Sequence, residues 1–159
     1  MPQHLWTVVA LRAIVDAATN NASIVDVLEQ LNLPPLPAPK DPKKRQAVPI
    51  RIAVMTLWRR SDPRLPESTN TRLALKGPSG KTLITIDSVL DMRKHLRMRA
   101  ISHLNGFPVD GSGTYRFELS IQTGRRWRHV NTQYVEVFTM KTPVRVLASG
   151  KPVKVPQFH

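Results

Sequence analysis

The chain contains no cysteine, which excludes disulfides, thiolate zinc centres and cysteine nucleophiles together. Glycine is also scarce, 7 residues against 14 prolines in a chain of 159, and the prolines leave little room for long helices. Aromatic residues make up 6%, too few for an extensive stacking platform. Nowhere do 18 apolar residues follow one another. The first apolar run, Leu5 to Val15, carries Arg12 inside it and is too short to cross a bilayer. No basic residue precedes that run, as the start of a secretory signal would require. The expectation is a cytoplasmic protein without a membrane partner, for which the sequon Asn21-Ala22-Ser23 has no use.

Acidic residues are the other shortage, 11 against 24 Lys and Arg, giving a formal charge of +13. The excess is uneven. Residues 1–39 hold one base and three acids, residues 40–99 hold 15 bases and five acids, and residues 100–159 hold eight bases and three acids. Such asymmetry fits either a face for an anionic partner or a hydrated basic surface. Apolar residues at 41% are enough for a packed core, so one globular domain over residues 1–140 is expected.

The apolar pattern is that of strands. Leu5 to Leu11 is rich in β-branched and large residues, and Ile14 to Asp16 continues it, with a bulge expected at Arg12-Ala13. Asp16 to Asn21 supplies turn chemistry. Ala22 to Leu33 fits either a helical face or a strand, and the strand is favoured because it buries both runs across a short turn. Residues 34–47 are a proline-rich and basic connection, from Pro34-Pro35 through Lys40 to Arg45. Val48 to Thr56 alternates with period two and leads into Trp58-Arg59-Arg60. Ser61 to Asn70 reads as a loop. Thr71 to Lys76 and Lys81 to Ile86 flank the turn Gly77-Pro78-Ser79-Gly80, the clearest hairpin in the chain. Asp87 to Lys94 reads as irregular or a single helical turn, His95 to Leu104 as a strand and Asn105 to Gly113 as a loop. Thr114 to Ile121 turns its Tyr115, Phe117 and Leu119 to one face, and Trp127 to Thr139 is its hairpin partner through Thr123-Gly124. The tail 141–159 either adds an edge strand or stays loose.

Seven to nine short strands with little helix describe an all-β fold, an antiparallel β-sandwich of immunoglobulin-like type. Asp110-Gly111-Ser112-Gly113-Thr114-Tyr115 sharpens it. In such sandwiches a tyrosine just after a tight corner returns its hydroxyl to the backbone a few residues upstream. Leu11 to Asp16, Thr19 to Glu29, Leu57-Trp58-Arg59-Arg60 and Gly113 to Leu119 occur in the same order as in a family of small bacterial proteins of unknown function, which the chain resembles to about residue 138. The resemblance implies an immunoglobulin-like β-sandwich and no known catalytic residues. Its basicity and long tail depart from the family pattern.

Catalytic chemistry finds no footing. Gly77-Pro78-Ser79-Gly80-Lys81-Thr82 imitates the end of a phosphate loop, but Leu75 stands where that loop needs glycine and Leu83 to Ile86 is strand-like. The five histidines lack metal-ligand spacing, so no cofactor and no metal are expected. Ser102-His103 lacks a nucleophile's context, and Asp87 with Asp91 suits turns and caps better than acid–base work. What remains is a set of basic positions. Arg93, His95, Arg97 and Arg99 recur at period two and so share one strand face. Arg125, Arg126 and Arg128 surround Trp127 at a hairpin, and Arg59 and Arg60 follow Trp58. Guanidinium beside indole suits phosphate contact with base stacking. The plainer account is hydrated charge outside a core that holds both tryptophans. The expected function is a non-enzymatic binding module that contacts a protein partner, an assembly or a second copy of itself through a basic face. The alternative is a nucleic-acid or ribonucleoprotein-associated protein using its arginine-rich strands.

Overall fold

The structure, a computed structural model, describes residues 1–36 and 46–140. Nine strands form two sheets: β1 (Gln3–Val15), β2 (Ala22–Val27), β3 (Gln30–Leu33), β4 (Gln46–Arg59), β5 (Ser68–Lys76), β6 (Thr82–Asp91), β7 (Arg97–Val109), β8 (Gly113–Thr123) and β9 (Arg126–Thr139). One sheet has the order β2-β1-β4-β7 and the other β3-β9-β8-β5-β6. No helix occurs among the described residues, so none there could cross a membrane as a helix. The fold is an all-β sandwich. The proline-rich connection falls partly, at residues 37–45, and the tail 141–159 wholly, outside the described residues.

The sheets meet because alternation gives each strand one apolar face. Val9, Ile52, Val54, Leu104 and Phe107 of the first sheet pack on Leu73, Leu75, Tyr115, Phe117, Val135 and Val137 of the second. A second cluster, Trp58, Leu90, Met92, Leu119 and Ile121, fills one end of the sandwich. Trp58 is 1% exposed, and its indole N–H donates to Thr56 Oγ1 at 2.8 Å. The ring of His4 meets it edge-on, centroids 5.1 Å apart.

The expected tyrosine corner is present. The Tyr115 hydroxyl donates to the Gly111 carbonyl at 2.9 Å and accepts from the Asp110 N–H at 2.6 Å. The turn after β1 also holds: Asn20 takes a positive φ of 54°, and Asp16 Oδ1 accepts from the backbone N–H groups of Ala18 and Thr19.

Several boundaries differ from those the sequence suggests. The irregularity in β1 lies between His4 and Trp6 rather than at Arg12-Ala13. The strand beginning at Ala22 does not run unbroken to Leu33. Asp26 turns left-handed (φ 57°), the Leu28 N–H reaches the Val9 carbonyl in the first sheet, and the Glu29 carbonyl accepts from Glu136 in the second. The chain thus changes sheets, and β3 pairs parallel to β9, the one parallel pairing in an otherwise antiparallel arrangement of the described strands. β5 starts at Ser68, which shortens the preceding loop. β6 runs to Asp91, through residues expected to be irregular, because its long register with β5 carries Ser68 opposite Asp91. β7 starts at Arg97, so Arg93 and His95 sit in the connection before it and share no strand face with Arg97 and Arg99. At its other end β7 absorbs the expected loop through Val109. Gly106, at φ 101°, lies opposite the register shift between Val48 and Arg51 that makes this continuation possible.

Candidate anion-binding pole

Antiparallel topology places the β4–β5, β6–β7 and β8–β9 connections, with the start of β1, at one end of the sandwich. All eight arginines singled out by the sequence stand there. Arg59, at the exposed end of β4, is directly opposite Arg97 on β7 and Gln3 on β1. Arg99 lies two residues along on the same face of β7. Its guanidinium donates to the backbone carbonyl of Asn20 and, at 2.7 Å, to the Asn20 side chain, so the β1–β2 turn folds against β7. Arg60, in the β4–β5 connection, donates from Nη1 to the Leu65 carbonyl at 3.1 Å, while its Nε is buried with no acceptor among the described residues. Arg125 occupies the β8–β9 turn, Arg126 faces Thr123 across the hairpin, and Arg128 faces Ile121. Arg128 also shares a hollow with Gln3, His4 and Trp58, which brings the hairpin beside the Arg59 end of the first sheet.

The charge at this end is lopsided. Residues 57–67, 90–99 and 122–130 contain nine arginines and Lys94, ten bases, against three acids, Asp62, Glu67 and Asp91. The remaining described residues carry six bases and seven acids. The whole positive balance of the described fold is therefore gathered at one pole.

Each acid at the pole is already engaged. Asp91 grips Arg93 by a fork, Nε to Oδ1 at 2.9 Å and Nη2 to Oδ2 at 2.6 Å, and accepts the Arg93 backbone N–H. Those bonds, with the guanidinium charge, hold the Asp91 carboxyl far below the usual carboxylate range. Asp62 pairs likewise with Arg64, whose side-chain and backbone hydrogen bonds lower its pKa. Burial would raise the Glu67 carboxyl, but hydrogen bonds from the N-terminal ammonium and from Ser61, with the ammonium charge, outweigh it and leave it lowered. Arg59, Arg60, Lys94, Arg97, Arg99, Arg125, Arg126 and Arg128 have no carboxylate within ion-pair distance among the described residues. Opposed like charges such as Arg59 and Arg97 repel across the ladder, and an anion between them would relieve the repulsion. Of the eight arginines, then, the structure gathers seven with free charge and withdraws Arg93 into a local pair.

Trp58 and Trp127 part company. Trp58 lies in the core, as the plainer reading holds, but Trp127 is 36% exposed on the outer face of the second sheet. The Arg72 guanidinium lies 4.2 Å from its ring centroid. Arg72 is fixed in turn by a fork to Asp87, at 2.7 and 2.8 Å. Sequence reasoning missed this pair: counting in register from Lys76 opposite Thr82 would set Arg72 opposite Ile86, and the register shift between Leu75 and Lys76 is what brings it opposite Asp87. Asn20 as the anchor of Arg99 had no sequence signal, being 79 residues away.

Among the described residues no three of His, Asp and Glu are grouped to hold a metal ion. No family model matches the chain, and no curated protein matches it. Among solved structures it is similar to a glycosyl hydrolase family 2 member from Bacteroides cellulosilyticus, at 6% identity and a TM-score of 0.44, over 57% of this chain. The chain spans 14% of the length of that protein.

Proposed function

We propose that this chain is a binding module, not a catalyst, and that its arginine pole docks on the phosphate backbone of a nucleic acid. The observation that carries this is the segregation of charge: ten bases against three engaged acids at one end, six against seven across the rest of the described residues. The cations are nine arginines to one lysine. Planar guanidinium forks match phosphate oxygens in pairs and are more weakly hydrated than ammonium, so they suit phosphate contact. Seven unpaired arginines brought in from three stretches of chain form a multivalent surface, and each phosphate neutralised releases counterions.

The test is binding of labelled oligonucleotides over a salt series. Affinity in the micromolar range or better at low salt, falling log-linearly as salt rises, is the expected result. Absence of binding at low salt, or affinity indifferent to salt, would count against the reading.

A protein partner is supported by a separate observation. Ile14, Val15 and Val27, at 53%, 40% and 58% exposure, leave apolar surface on the paired β1 and β2 at the edge of the first sheet. Size-exclusion of the pure protein addresses the self-association form of that reading, for which a concentration-independent monomer is the negative outcome.

A further inference from the structure

Trp127 stands where the basic pole meets the outer face of the second sheet. Arg126 precedes it and Arg128 follows, and the pleat sends both neighbours to the opposite side of the strand. The indole lies on the face that carries Gln122 of β8 and Asn70 of β5, which are joined by an amide hydrogen bond of 2.6 Å. An exposed tryptophan on a sheet normally has rotamer freedom to lose on binding. Here the ring is already restrained, because the Arg72 guanidinium packs on it and the Asp87 fork fixes Arg72. The arrangement is a pre-set aromatic surface at the margin of the basic pole, and it is not consumed by the core.

A duplex keeps its bases stacked on each other and offers no free π-face. A single strand does offer one, and a base stacked on an aromatic side chain contributes without regard to sequence. Resting on the proposed nucleic-acid reading, we infer that the pole takes single-stranded nucleic acid in preference to duplex, with Trp127 at its margin as the platform for one unpaired base and the unpaired arginines of the pole on phosphates further along the strand. Arg72 and Asp87 act as positioning residues that hold the platform.

The experiment measures affinity of the full chain for a single-stranded oligonucleotide and for a duplex of the same length, each over a salt series, for the parent, Trp127→Ala and Trp127→Phe. Trp127→Ala is expected to weaken single-strand binding roughly tenfold or more and to leave duplex binding within about twofold. The slope of log affinity against log salt should not change, because stacking releases no counterions. Trp127→Phe keeps a π-face and should recover most of the loss. The substitution is at a part-exposed position, and an unchanged melting temperature establishes that the fold persists. Equal loss on single strand and duplex, no loss on either, or no recovery by phenylalanine would overturn the inference while leaving the basic pole standing. No binding of either oligonucleotide by the parent protein would instead remove the reading on which it rests.

Discussion

Tyr115 has no exposed surface, yet its hydroxyl is fully used, donating to Gly111 and accepting from Asp110 while its ring packs on Phe107 at 5.0 Å. Burial pushes the phenol up from its ordinary value. Tyr115→Phe keeps the ring but orphans a backbone donor and acceptor, and should cost about 1–3 kcal/mol in denaturant unfolding. His4 makes a complementary case. Burial against Trp58 lowers its pKa below 6.5, outweighing a backbone hydrogen bond that raises it. The unfolded chain therefore takes up a proton at His4 as pH falls through about 6.5 while the folded chain does not, so stability declines on acidification in that range. His4→Gln should flatten that part of the melting-temperature profile, and a decline as steep as the parent's would refute the assignment. At this scale the tyrosine corner was legible, since its Asp and Gly lie within five residues of the ring. Arg93 does not share the strand face of Arg97 and Arg99, because period-two spacing says nothing of where a strand begins, and β7 begins only at Arg97.

The strands announced themselves where alternation was clean and where a tight turn joined neighbouring strands, as in β5 with β6 and β8 with β9, although each of those ladders carries a register shift. They did not where pairing depended on distant chain. β6 extends to Asp91, and β3 lies parallel to β9, because partners 15 to 23 and 106 residues away, respectively, supply the ladder. Gly106 shows how a residue that reads as a loop signal can sit inside a strand. Its φ of 101° accommodates the shift opposite Val48–Arg51, and an added methyl would meet nothing closer than 3.8 Å. The cost of Gly106→Ala is thus backbone strain and not a clash, and a loss of about 1–2 kcal/mol is expected on thermal or denaturant unfolding. A neutral outcome would mean that the bulge relaxes without glycine.

Over the whole molecule the sequence displays an excess of cations but no pole, because the segments that form it are spread from the first residues to residue 130. Sandwich topology assembles them, and two short-range pairs, Asp62 with Arg64 and Asp91 with Arg93, together with the distant N-terminal ammonium on Glu67, then remove the acids from play. Asp91→Asn would release Arg93 into the cluster and should strengthen oligonucleotide binding roughly two- to fivefold at low salt, an effect that high salt abolishes. Because arginine keeps its proton throughout, affinity should be nearly flat between about pH 7 and pH 9. The most direct measurement is the salt dependence of oligonucleotide affinity in a variant lacking Arg59, Arg97, Arg126 and Arg128, beside a control lacking Lys81 in the β5–β6 turn at the other end of the sandwich. The pole variant should lose most of its affinity and shed roughly 0.7–0.9 of slope per contact removed, with the control unchanged. Equal behaviour of the two variants would contradict the account.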